Sequence, residues 1–150
     1  MNKVVLSLNF MHCMERFATQ IYRTQMPSFK DSEYSGQLME ASENEKTHVE
    51  KLRDRIKKLN YSVYPLGFLF QFAGVCLGIL TRVSGRLNLF KADTFVENRA
   101  VKDYSAFLKA VAFDDDTVKL IRGIIADEEV HIAKWKKAAE AIEKTVPSAA

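Results

Sequence analysis

Two tetrapeptides, Glu45-Lys46-Thr47-His48 and Glu128-Glu129-Val130-His131, decide how this chain is read. Each is a Glu-x-x-His, and residues at i and i+3 of a helix share one face with Cβ atoms about 5–6 Å apart. A carboxylate and an imidazole so placed can ligate one metal ion. One such tetrapeptide is ordinarily a solvated surface pair, but here the surroundings repeat as well. Glu15 stands 30 residues before Glu45 and Glu97 stands 31 before Glu128. Tyr22 follows Glu15 by seven residues, and Tyr104 follows Glu97 by the same seven. One helical hairpin has been written twice.

The rest of the sequence divides into helices around these residues. Leu6, Phe10, Met14, Phe17 and Ile21 recur at helical spacing and predict a first helix over 4–25, ended by Pro27 and Ser28. A second spans 31–59, opening at an Asp31/Ser32 cap and closing at Asn60, with Lys51, Arg53, Arg55, Lys57 and Lys58 where cations suit the helix dipole. The segment 65–82, with Pro65 at the first helical position, is almost entirely apolar and marks an additional helix buried in protein or lipid. A third bundle helix covers 88–113, its inner face supplied by Phe95, Ala100, Val101, Phe107, Leu108 and Val111. The run Asp114-Asp115-Asp116 opens a fourth over 116–144, which Pro147 stops.

Length and composition agree with this reading. A chain of 150 residues with 47% hydrophobic and 27% charged residues, 6 Gly and 3 Pro suits one ordered helical domain, 1–150. A net charge of +3 without an Arg/Gly-rich tract gives no reason to expect nucleic acid. Cys13 and Cys76 are isolated, so neither a disulfide framework nor a thiolate metal site is expected, and a reducing, cytoplasmic compartment fits. The first residues run into helix-patterned sequence without a small-residue cleavage site and read as part of the fold.

Ferritin-like carboxylate proteins build a dinuclear site from one Glu on each of two helices and a Glu-x-x-His on each of the other two. This chain supplies that set in order as Glu15, Glu45 with His48, Glu97, and Glu128 with His131. The expectation is an all-α, ferritin-like four-helix bundle with an apolar crossover helix between its second and third helices. Four carboxylates and two imidazoles in a bundle core are tolerable only if cations neutralise them. Oxygen and imidazole donors without thiolate suit two Fe ions, with Mn or Zn as substitutes. Tyr22 and Tyr104 are placed to bond ligand carboxylates. Asn44 and Asp127, each preceding the Glu of a Glu-x-x-His, are placed to accept a ring N–H from a ligating His. His12, one turn before Glu15, reads as a helix-packing or surface residue. No catalytic residue is assigned beyond the metal site.

The stretch Glu15-Arg16-Phe17-Ala18-Thr19-Gln20-Ile21-Tyr22-Arg23-Thr24-Gln25 resembles the E-x-x-A-x-x-I-Y-x-x-Q signature of the demethoxyubiquinone hydroxylases. The segment from Pro65 through Gly74 and Gly78 is similar to that family's Gly-rich apolar stretch, and Val96-Glu97 with Tyr104 to its V-E-x6-Y. The pattern departs at Asp103, where a His precedes the Tyr in the family, and in a shorter link between the third and fourth bundle helices.

The resemblance implies a di-iron monooxygenase of ubiquinone biosynthesis, using O2 or peroxide on a lipophilic quinone-type substrate. Basic residues flank segment 65–82 on both sides, an arrangement suited to peripheral contact with the inner face of a membrane. The alternative for that segment is packing on the bundle or in a homodimer seam, with Gly74-x-x-x-Gly78 permitting close approach. Two other functions fit the residues: a rubrerythrin- or ferritin-like protein that reduces peroxide or oxidises iron, and a metal-stabilised structural or partner-binding module.

Overall fold

The computed structural model describes residues 2–30 and 32–145. Five α-helices follow one another: α1 (Lys3–Gln25), α2 (Glu33–Lys58), α3 (Gly67–Val83), α4 (Arg86–Ala110) and α5 (Asp115–Thr145). α1 pairs with α2 and α4 with α5, and α3 lies along α1. The result is a ferritin-like all-α bundle of two hairpins with a crossover helix between them.

The helix ends have local causes. Asn2 Oδ1 accepts from the Val4 N–H at 3.0 Å and caps α1. A 3-10 turn, Met26–Phe29, carries Pro27 at its start. Asp31 and Pro147 lie outside the described residues. Ser32 flanks α2 but makes no capping bond, and its hydroxyl donates back to the Phe29 carbonyl at 2.8 Å. At the far end of α2, Asn60 adopts φ 60°, with Asn60 N–H bonded to the Lys57 carbonyl and Tyr61 N–H to that of Ile56. That pattern satisfies the last carbonyls of the helix. Asp114 Oδ1 accepts from Thr117 N–H at 2.8 Å and caps α5.

Three expectations need correction. Pro65 sits in the turn before α3, not at its first position, since the helix begins at Gly67. α4 runs from Arg86 to Ala110, so Val111 and Phe113 belong to the link. The inner face of α4 includes Ala100 as expected but not Phe95. Phe95 is 72% exposed and Leu6 lies at the surface, while the buried face of α4 is Leu89, Phe90, Asp93, Glu97, Ala100 and Tyr104.

α3 is mostly apolar, with Gln71, Thr81 and Arg82 its polar residues, but only one face of it is covered. Gly67, Gly74, Gly78 and Thr81 are buried against α1. A Cβ on Gly74 would collide with the Phe17 carbonyl, and one on Gly78 would lie 2.7 Å from Thr24 Cβ. The small-residue stripe therefore serves a contact within this chain. The opposite face leaves Phe68, Leu69, Phe72, Ile79, Leu80 and Val83 exposed. Among the described residues no helix is long and apolar enough to cross a membrane.

The core divides into two apolar layers. One contains Ala18, Ile21, Tyr22, Leu38, Ala41, Phe90 and Trp135, and the other Leu8, Met11, Leu52, Ile56, Tyr104, Ile121 and Ile124. On each bundle helix the residues between the two layers are polar: Glu15, Glu45 with His48, Glu97, and Glu128 with His131.

Candidate metal centre

All six of these side chains are at most 4% exposed. They form two overlapping sets of potential ligands, Glu15, Glu45, His48 and Glu128 in one and Glu45, Glu97, Glu128 and His131 in the other. Within each set one donor atom per residue lies within 4.8 Å of the others. Glu45 and Glu128 belong to both, which is the position of a carboxylate shared by two ions.

Each imidazole turns Nδ1 toward this cluster. His48 Nδ1 lies 3.2 Å from Glu15 Oε2, 3.2 Å from Glu128 Oε1 and 3.5 Å from Glu45 Oε2. His131 Nδ1 lies 3.1 Å from Glu45 Oε1, 3.1 Å from Glu128 Oε2 and 3.4 Å from Glu97 Oε1. One ring nitrogen has one proton and cannot serve three acceptors. Both oxygens of Glu45, and Oε1 of Glu128, accordingly accept no well-formed hydrogen bond despite those short distances. A cation between the donors would satisfy all of them together, so the residues fit a dinuclear metal pair of the carboxylate-imidazole type.

Charge tells the same story. Burial first, then repulsion from Glu128 and Glu15, pushes the Glu45 carboxyl well above the usual range. Burial and Glu128 push Glu97 up to about 8. Burial pulls both imidazoles down, but hydrogen bonds to the carboxylates outweigh it, raising His48 well above the ordinary imidazole range and His131 to about 12. Glu128 also feels burial upward, yet His131 and His48 hold it down at about 2. Without metal, protons do the neutralising that bound cations would do.

The surrounding hydrogen bonds cross between the halves. The Tyr22 hydroxyl on α1 donates to Glu97 Oε1 on α4, while the Tyr104 hydroxyl on α4 donates to Glu15 Oε1 on α1. Trp135 Nε1–H in turn donates to the Tyr22 oxygen at 3.2 Å. His48 Nε2 lies 2.9 Å from Asp127 Oδ2, the contact that fixes a ring tautomer. Its counterpart is not formed: Asn44 Oδ1 is buried and accepts no hydrogen bond. His12 is buried on α1 but belongs to neither ligand set.

Two residues of this region have no part in the sequence expectations. Asp93, one turn before Glu97, is buried, accepts from Gln25 Nε2 at 2.8 Å, and is pushed up to about 8 by burial. Gln25 Nε2 also reaches Thr81 Oγ1 at 2.9 Å, so one amide ties α1 to α3 and α4. The signal for Asp93 was its four-residue spacing from Glu97. Trp135, four residues after His131, was legible only as one more apolar residue.

Four helices bringing four carboxylates and two imidazoles to a buried centre define a ferritin-like bundle whose Glu and His groups could hold metal ions. Residues 7–148 match the family model described as ubiquinone biosynthesis protein COQ7, and the chain belongs to that family. Comparison with curated proteins finds no match.

Proposed function

We propose that this protein is a di-iron monooxygenase that hydroxylates the ring of a demethoxyubiquinone-type quinone at a membrane surface. The observation that carries the reading is the pair of overlapping ligand sets sharing Glu45 and Glu128. Family membership supports the ubiquinone pathway as its setting.

When bound, two iron ions supply the reduction of O2 that ring hydroxylation requires. Glu15, Glu45, His48, Glu97, Glu128 and His131 would hold them. The side chains around these six prepare them for that task. Asp127 Oδ2 accepts a hydrogen bond from the Nε2–H of His48, which leaves Nδ1 as the nitrogen that would bind a metal. Tyr22 and Tyr104 restrain one oxygen each of Glu97 and Glu15. The two apolar layers keep bulk water from the centre.

A lipophilic substrate is supported by an apolar pocket of about 270 Å³ lined by Met14, Phe17, Leu77, Ala92, Phe95, Val96 and Arg99. Met14 and Val96 adjoin Glu15 and Glu97 in sequence, so the pocket lies beside the helix segments that carry two ligands. The exposed apolar face of α3 supports peripheral attachment at the inner face of a membrane, for which α3 is the contact.

The test is a single turnover. Iron-loaded, reduced protein is given O2 and a short-chain demethoxyquinone, and the product is read by mass spectrometry beside Glu45→Ala. A ring gaining one oxygen in the wild type alone supports the proposal. Peroxide or O2 consumed with the ring untouched points to the peroxide-reducing or iron-oxidising alternative. Iron bound with no reaction points to a structural metal, and iron uptake equal to that of Glu45→Ala removes the metal reading altogether.

A further inference from the structure

The groove between α1, α2 and the start of α3 holds a cavity of about 380 Å³ with a different character from the metal centre. α1 contributes His12, Arg16 and Arg23, α2 contributes Lys46 and Arg53, and α3 contributes Gln71. No Asp or Glu lines it, and none of the six metal-facing side chains does. Lys46 and Arg53 have carboxylate neighbours at 3.7 Å and 3.5 Å, Glu43 and Asp54, but both pairs are exposed, and such pairs are worth only about 0–1 kcal/mol. Four positive charges thus surround one concavity largely uncompensated.

Arg16 is held in place: its Nη2 donates to Gln71 Oε1 at 2.7 Å, and the guanidinium lies over Gly67, where any Cβ would strike it. At the floor is His12, 2% exposed, whose Nδ1 has no hydrogen-bond partner. Burial, then Arg16 and Arg53, hold this imidazole down at about 4, so it is neutral near pH 7. A buried ring nitrogen without a partner is a costly thing to keep unless a ligand completes it.

We propose that this cavity binds a phosphate group, presented by a soluble phosphate ester or by a phospholipid headgroup. Guanidinium forks match phosphate oxygens bidentately, and the neutral His12 can offer an Nδ1–H as a further donor. A carboxylate offers two oxygens on one carbon, whereas a phosphate offers two or three non-bridging oxygens in a tetrahedral spread that several guanidinium donors can reach together, and a monoester adds a second negative charge. The site stands independently of the metal centre and of the reaction proposed above.

The ring resonances of the three histidines in the full chain provide the readout, with His12 assigned by its loss in His12→Gln. The probes are inorganic phosphate, then phosphatidylcholine vesicles with or without phosphatidylglycerol. Saturable phosphate binding is expected to raise the His12 titration by about one unit, as an opposite charge favours the protonated ring. Arg16→Gln and Arg53→Gln should each weaken it about tenfold, the loss of one charge-assisted contact. Arg53 is exposed, so its replacement leaves folding intact even if that of Arg16 does not. The same shift produced by phosphatidylglycerol vesicles assigns the site to a headgroup, and a shift with inorganic phosphate alone assigns it to a soluble ester. If neither probe moves His12, or both Arg variants respond as the wild type does, the proposal fails.

Discussion

Tyr22 and Glu97 lie 75 residues apart on α1 and α4, and the tyrosine hydroxyl donates to the glutamate carboxylate at the centre of the bundle. Tyr104 and Glu15 make the reciprocal bond. Each half of the chain thus supplies the donor for the other half's buried glutamate. Tyr22→Phe leaves a buried Glu97 oxygen without its donor and Trp135 Nε1–H without its acceptor. The expected loss is about 1–3 kcal/mol of unfolding free energy, read by urea denaturation of the metal-free protein. A change below about 0.5 kcal/mol would mean the bond contributes little.

Asp127 and Asn44 occupy equivalent places in the repeat, yet only Asp127 touches a ligand imidazole. Asp127→Ala is expected to weaken divalent-metal binding about 10–100-fold, because His48 loses the partner that orients it. Asn44→Ala should change it far less. Competitive titration with a chromogenic chelator measures both, and equal effects would remove the role given to Asp127.

Glu45→Gln should act in opposite senses with and without metal. Burial, then repulsion from Glu128 and Glu15, raises the Glu45 carboxyl well above the usual range, so ionising it without metal carries a penalty. A neutral amide removes that penalty, and the metal-free melting temperature should hold or rise. The added stability conferred by bound Fe(II) or Mn(II) should largely vanish, since a shared ligand is gone. Equal melting shifts in both states would count against Glu45 as a ligand.

Asp93 gives a pH signature of definite sign. Its folded value of about 8 lies above the ordinary 3.8, so between these two pH values the folded state binds the extra proton. The stability it contributes is complete below about 3.8 and is lost as pH rises through 8. Asp93→Asn keeps an acceptor for Gln25 and carries no charge, so it should flatten this slope and gain about 1–2 kcal/mol over the wild type at pH 8.5. Denaturation at a series of pH values, compared between the two proteins, tests it.

Gly74 fits α3 against the Phe17 carbonyl with no room for a side chain. Gly74→Ala must move backbone against backbone, at a cost of about 1–3 kcal/mol, and should expose the α3 links to protease. Gly36→Ala, with open space around it, is the control.

The clustering of the candidate residues was readable because it depends on spacing alone: a doubled Glu, Glu-x-x-His pattern puts six donors on inward faces before any tertiary contact is known. The helix count and most boundaries followed from caps and breakers. The inner face of α4 was misread at Phe95 for the reason that makes the site unusual. Apolarity normally marks the inside, but here polar residues hold the middle of each helix, and Phe95 turns out while Asp93 and Glu97 turn in. The crossing of Tyr22 and Tyr104 was not readable either, since spacing gives a residue's face and not the helix it meets. The cationic cavity escaped notice because its residues come from three elements with no common interval.

The two crossed tyrosine bonds make the halves mutually dependent. A hairpin of α1 and α2 alone would hold one set of donors, an unanswered Glu15 and an idle Tyr22, and only another hairpin can supply what it lacks. Joining the pair through α3 turns an encounter between separate molecules into an event within one chain, so assembly of the centre no longer depends on protein concentration.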